Sequence, residues 1–101
     1  VIDRARSGKI SPKDLSGGCC TLSNLGAFGI ESFVPIVIPG QCSIIGIGKI
    51  VDTCVPSHGN ILVRKLMSLT ISVDHRVANG VYAAQFIDHI KQLLQAPANL
   101  V

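Results

Sequence analysis

Two short stretches hold the side chains of most chemical use. One is Asp74-His75-Arg76-Val77-Ala78-Asn79-Gly80; the other is Thr21-Leu22-Ser23-Asn24-Leu25-Gly26, whose serine lies 52 residues before His75. An imidazole has an ordinary pKa of about 6.5, so a histidine just past a regular strand can act as a general base while the scaffold holds it open to a cleft. A fixed hydroxyl such as that of Ser23 can donate to an oxygen on which charge builds during a reaction. Each residue also has a plainer reading. A single histidine is more often a hydrogen-bonded surface or packing residue, Asn79-Gly80 is a common turn pair or helix N-cap, and a strand-end serine often bonds its own turn.

The elements around these stretches follow from pattern. Val1 to Ser7 reads as the last turns of a helix, stopped at Gly8. Ser11 as N-cap, Pro12 at the first helical position and Asp14 in the first turn start a short element that Gly17 and Gly18 end. Residues 19 to 23 predict a strand ending at Ser23, followed by a loop from Asn24 to Glu31. Phe33 to Ile38 predicts a short strand at an edge or bulge, because Pro35 removes a backbone donor. Cys42 to Val55 and Ile61 to Val73 predict two longer strands, joined as a hairpin by a turn over Pro56 to Asn60. In the second, Met67, Leu69, Ile71 and Val73 alternate with Ser68, Thr70 and Ser72, giving one apolar face and one lined with hydroxyls. After Asp74 the period lengthens: Ala83, Phe86, Ile87, Ile90, Leu93 and Leu94 recur at three- and four-residue steps, an amphipathic helix ending before Pro97. The fold class is α+β with a mixed or antiparallel sheet.

Composition narrows the field. At 101 residues, 48% hydrophobic and 15% charged, the chain has room for one folded unit and is far from the polar, highly charged profile of disorder. Pro35, Pro39, Gly40, Gln41 and Lys49 interrupt its most apolar region, so no stretch approaches the roughly 18 apolar residues of a membrane-spanning helix. The net charge of +3 is scattered, and with no Trp, one Tyr and three Phe there is neither a basic stripe nor a stacking platform for nucleic acid. No secretory leader pattern is present, which makes a cytoplasmic setting the expectation. Cys19, Cys20, Cys42 and Cys54 are expected as free buried thiols, since reducing compartments keep thiols unpaired. No metal is expected, because neither Cys19-Cys20 nor Cys54 and His58 has the paired spacing of a zinc site. Gly46-Ile47-Gly48 lacks the third glycine and following helix of a dinucleotide fingerprint and reads as close backbone packing. His58 and His89 read as turn and helix-face residues. So much apolar surface on so short a chain implies oligomerisation or a missing part of the same domain.

Taken together, Gly17-Gly18, Thr-Leu-Ser-Asn-Leu-Gly at 21–26, Phe28-Gly29, Pro35-Ile36, Ile44-Ile45-Gly46-Ile47-Gly48, and Asp-His-Arg with a glycine four residues after the arginine form a pattern. It resembles the catalytic domain of the dihydrolipoamide acyltransferases, the core subunits of 2-oxoacid dehydrogenase complexes, across essentially the whole chain. The resemblance implies a chloramphenicol-acetyltransferase-like mixed sheet with helices, of which residues 1–101 would be the C-terminal portion. It further implies acyl transfer between a dihydrolipoyl thiol, carried on a separate domain, and coenzyme A. In this family the motif histidine is the general base and the motif serine steadies the tetrahedral intermediate, roles that map onto His75 and Ser23. Asn79 stands where the commonest pattern has Asp, and an amide orients neighbours without supplying negative charge. The resemblance places Ser23, Asn24, Gly46 and Gly48 near coenzyme A. It implies a homotrimer building a larger core, with the active site in a channel between neighbours, so that His75 of one chain faces Ser23 of the next. The decarboxylase and dihydrolipoamide dehydrogenase subunits are the implied partners, and the mitochondrial matrix is the implied setting if the source is eukaryotic.

The chemistry is coherent on its own terms. A thiol of pKa about 8.5 becomes a good nucleophile when an imidazole of pKa about 6.5 takes its proton as it attacks a thioester carbonyl. Two other functions fit the same residues: a non-catalytic assembly subunit of the same fold, and a stand-alone chloramphenicol-type acetyltransferase. Retention of both Ser23 and His75 argues against the first, and the Asp-His-Arg string favours the core-subunit branch over the second. Arg76 and Asp74 read as a solvated surface pair.

Overall fold

The computed structural model describes residues 1–100. A short helix α1 (Ile2–Arg6) is followed by a 3-10 turn over Pro12–Leu15. Asp14 ties the two together: its carboxylate accepts from the Ser11 amide at 3.2 Å and from Arg4 Nη2 at 2.7 Å. Strand β1 (Cys20–Asn24) then lies parallel to β2 (Ser43–Ile47), and β5 (Leu69–Val73) lies antiparallel on the other edge of β2. Helix α2 (Gly80–Gln95) covers the sheet face that carries Ser43, Ile71 and Val73. Its buried residue Ala83 joins Ile44 and Ile45 as the buried hydrophobic side chains among the described residues. The opposite face, with Ile44, Gly46 and Ser72, is covered by the segment between β1 and β2: the Phe33 ring lies over Gly46 and the Pro35 carbonyl accepts the Ser72 hydroxyl at 2.6 Å.

Strands β3 (Val51–Ser57) and β4 (Asn60–Leu66) form a separate two-stranded sheet. Their connection is the two-residue turn His58-Gly59, with φ of 49° and 82°, the doubly left-handed geometry that matches the twist of a hairpin. The two long strands expected at 42–55 and 61–73 are therefore each cut in two. The Ile47–Leu69 pair and the Val51–Leu66 pair are separated by three residues on one side and two on the other, so one extra residue sits in the ribbon. This is the arithmetic of a β-bulge, which bends a ribbon and ends its ladder. The bend is pinned by Gly48, whose amide donates to Ser68 at 3.0 Å, and by Lys49, whose amide donates to Ile30 at 2.7 Å. Alternation along either strand carries no mark of the inserted residue.

Two further expectations change. Phe33 to Ile38 is extended but pairs with no strand: Pro35 is buried and the segment lies across the sheet face instead of along its edge. The thiols are free, but Cys19, Cys20 and Cys54 are exposed and only Cys42 is half-covered. The reason is the size of the core. Accessible surface is 8000 Å², against about 5,500 Å² for a compact monomer of this mass. The radius of gyration is 16.5 Å, against about 13 Å for a compact chain of this length.

Two glycines make a clean contrast, Gly48 at the bend and Gly80 outside it. A Cβ on Gly48 would lie 1.8 Å from the Glu31 carbonyl oxygen, whereas one on Gly80 at the start of α2 meets nothing within 4 Å. Urea unfolding should show Gly48→Ala costing about 1–3 kcal/mol through overpacking against backbone. In the same assay Gly80→Ala should raise stability by up to about 1 kcal/mol. Equal midpoints for the two variants would mean that the close crossing at Gly48 does not hold the bend.

Candidate functional site

His75 lies two residues beyond the end of β5, on a turn organised by Asp74. The Asp74 amide donates to Cys42 O at 2.8 Å, fixing the turn to β2's approach, and the Asp74 carbonyl accepts from Val77 N at 2.8 Å and Ala78 N at 3.1 Å. The Asp74 carboxylate accepts from the Arg76 amide at 3.0 Å, from Nε at 3.0 Å and from Nη2 at 2.7 Å. This guanidinium and amide hold the carboxyl down at about 2, from a usual 3.8. The pair is solvated, as expected, with the Arg76 side chain 90% exposed. The Asp-x-Arg spacing makes it an organised turn, because a carboxylate readily bonds its own backbone two residues on, and the arginine side chain folds back onto the same oxygens. The imidazole itself is exposed and makes no hydrogen bond among the described residues.

Asn79 ends the turn. It is the N-cap of α2, its side-chain oxygen accepting from Tyr82 N at 2.8 Å. The carbonyl end of the amide is thus committed to the helix, and the NH₂ end keeps its donors. Between α2 and the sheet, next to this turn, lies an apolar cleft of about 300 Å³ lined by Ile71, Val73, Val77, Ala78, Tyr82 and Phe86, among others.

Ser23 is half-buried on β1, opposite Gly46, which is opposite Thr70. The structure continues β1 one residue past the expected end, to Asn24, whose side-chain oxygen accepts from Gly26 N at 2.9 Å and opens the tight turn that follows. Gly46 and Gly48 are both buried, with Phe33 packed on the first and Glu31 on the second. Neither presents open surface to a ligand; close packing accounts for both. His58 stands in the hairpin turn and His89 is exposed on α2.

One chain does not bring Ser23 and His75 together. The row of Ser23 is three residues from the row of Val73, and β1 and β5 are two strand positions apart. At about 3.3 Å per residue and about 4.8 Å per strand, the separation is about 14 Å or more. His75 and Asn79 share one end of the sheet; Ser23 and Asn24 occupy the other.

Comparison with known proteins gives one answer. The family model described as 2-oxoacid dehydrogenases acyltransferase (catalytic domain) matches residues 1–101. The lipoamide acyltransferase component of the branched-chain alpha-keto acid dehydrogenase complex of Pseudomonas aeruginosa is 43% identical over 100 residues, covering 99% of this chain and 23% of the relative. The cubic core of a pyruvate dehydrogenase multienzyme complex superposes with TM-score 0.89 at 35% identity, over 98% of this chain and 41% of that one. The dihydrolipoamide acetyltransferase of Azotobacter vinelandii gives TM-score 0.89 at 34% identity, over 98% of this chain and 41% of that one. It was solved to investigate the role of one serine, one histidine and one asparagine in its catalytic mechanism. The chain spans less than a quarter of the length of the curated relatives it matches.

The turn carries its own tests. A carboxyl held below its ordinary value adds order above that value and loses it as pH falls through the folded one, so the Asp74 turn should be fully held above 3.8 and released on the way down to about 2. Carbon-13 titration of the Asp74 carboxyl should show this, and Arg76→Met should return the midpoint towards 3.8; an unmoved midpoint would remove Arg76 as the cause. Loss of the cap in Asn79→Ala should cost about 1 kcal/mol in thermal or urea unfolding, whereas Asn79→Asp should cost almost nothing.

Proposed function

Because the chain belongs to the 2-oxoacid dehydrogenases acyltransferase (catalytic domain) family, we propose that it carries the two halves of an acyl-transfer site that is completed between neighbouring copies. One observation supports this above the rest. Ser23 and His75 sit at opposite ends of a rigid three-stranded sheet, too far apart to act on one bond within a chain. Two copies, each offering the opposite end, would supply both groups to one cleft. The spacing also agrees: in the Azotobacter enzyme the serine, histidine and asparagine fall in the same order and with the same separations as Ser23, His75 and Asn79.

On this reading the substrates are coenzyme A and a dihydrolipoyl thiol, one bearing the acyl group as a thioester. The His75 imidazole takes the proton of the attacking thiol, the new carbon–sulfur bond forms, and charge moves onto the carbonyl oxygen. The Ser23 hydroxyl donates to that oxygen. The carbonyl then re-forms, the original thiolate leaves, and His75 returns the proton to it. Asn79 positions the His75 turn through the start of α2, with its NH₂ group free to face the site. Asn24 and Ser23 supply the polar surface towards coenzyme A. The assembly on this reading is a homotrimer building a larger core, and the related pyruvate dehydrogenase multienzyme complex has a cubic core. The decarboxylase and dihydrolipoamide dehydrogenase would act before and after it on the same lipoyl arm.

Acyl transfer from acyl coenzyme A to dihydrolipoamide, measured on the assembled full-length protein, tests this. His75→Ala should lower kcat by about 10²–10⁴-fold. Ser23→Ala should lower kcat by about 10²–10³-fold with KM little changed. Copies of the two variants, dissociated and reassembled together, should regain activity that neither has alone. Failure to regain it while each variant assembles would sink the shared-site reading.

A further inference from the structure

Three thiols gather where β1 and β2 begin. The Cys42 amide donates to Cys19 O at 3.3 Å and the Cys42 thiol points at the same oxygen at 3.4 Å. The two residues therefore face each other one step before the Cys20–Ser43 pair. Adjacent strands lie about 4.8 Å apart, inside the roughly 4.4–6.8 Å between α-carbons that a disulfide spans. Cys19 is exposed and Cys42 half-covered, both free. The Cys20 sulfur accepts the Ser43 hydroxyl at 3.2 Å, and that hydroxyl, 3.7 Å from the Cys42 sulfur, stands between the two. Cys42 is also the anchor of the His75 turn, its carbonyl taking the Asp74 amide at 2.8 Å.

We propose that Cys19 and Cys42 form a reversible intrachain disulfide that clasps β1 to β2 at the root of the Asp74–Asn79 turn. The oxidant is a low-molecular-weight disulfide. The exposed Cys19 thiolate attacks one of its sulfurs and expels one thiolate, leaving a mixed disulfide. The Cys42 thiolate then attacks the Cys19 sulfur and expels the second. Two protein thiols give up two protons and two electrons, and the small disulfide becomes two thiols. The clasp places a redox-sensitive bond two residues from β2's buried Ile44 and one hydrogen bond from the turn that presents His75.

Incubation of the full-length protein with oxidised glutathione, followed by alkylation and peptide mass mapping, tests this. Trypsin cuts after Lys13 and Lys49, and a glutamyl endopeptidase after Glu31, so the peptides 14–31 and 32–49 stay together only through a disulfide. The linked pair is expected in the parent protein and in Cys20→Ser, absent in Cys19→Ser and Cys42→Ser, and separated by dithiothreitol. Hydrogen exchange at the Asp74 amide is expected to slow on oxidation in the parent protein and not in Cys19→Ser. A link that survives Cys19→Ser but is lost in Cys20→Ser, glutathione retained on separate cysteines, or an Asp74 amide indifferent to oxidation would overturn the proposal.

Discussion

The polarity of the strands flanking β2 constrains everything else. β1 runs parallel to it and β5 antiparallel, so the chain leaves β1 at one end of the sheet and leaves β5 at the other. The exit of β1 carries Ser23 and Asn24; the exit of β5 carries Asp74, His75 and Asn79. Side chains cannot cross a sheet of this size, because each strand pair is fixed by backbone hydrogen bonds that a shift of register would break together. A reaction that needs both groups must therefore be intermolecular in its architecture. The geometric separation and the need for copies are one fact seen from two sides.

The surface tells the same story in energetic terms. Burial of apolar area is the main favourable term in folding, and this chain buries little of what it has. Ile61 is 77% exposed and Val63 68% exposed on β4, and Val34 and Ile36 are 80% and 86% exposed on the segment that crosses the sheet. A two-stranded hairpin is marginal by itself in water, and among the described residues the β3–β4 sheet has only its own two strands. Surface of this kind is stable when something covers it. Under the proposed function, contacts between copies are one source of such cover.

Much of this could be read from the residues. The period change at Asp74, the stop before Pro97 and the Ser11-Pro12-Asp14 start each correspond to an element, because local rules of periodicity and capping decide them. Asn79 as an N-cap was legible for the same reason. The breaks at Gly48 and Ser68 were not, since a bulge inserts one residue without changing which residue types alternate. The unpaired path of Phe33 to Ile38 was not legible either: its alternation is strand-like, and the Phe33 ring over Gly46 and the Ser72 bond to the Pro35 carbonyl show that it packs on the sheet face. The exposure of Cys19, Cys20 and Cys54 escaped a reading based on residue type, because thiol burial depends on how much core surrounds the thiol.

His75 is positioned without being bonded, and that division of labour matters for the proposed chemistry. A base must meet its substrate with a free lone pair. If the imidazole were held by a hydrogen bond of its own within the chain, that bond would have to be traded for the substrate's. Here the neighbours do the holding. Asp74 gathers Arg76, Val77 and Ala78 around its carboxylate and carbonyl, its amide is tethered to Cys42, and Asn79 locks the start of α2. The backbone on both sides of His75 is thereby fixed while both ring nitrogens stay open. Asn serves the second of these anchors as well as Asp would, since the cap needs an acceptor oxygen and not a charge. The cost falls on tautomer and rotamer control, which nothing among the described residues supplies; under the proposed function, the copy that brings Ser23 to the same cleft would be its source.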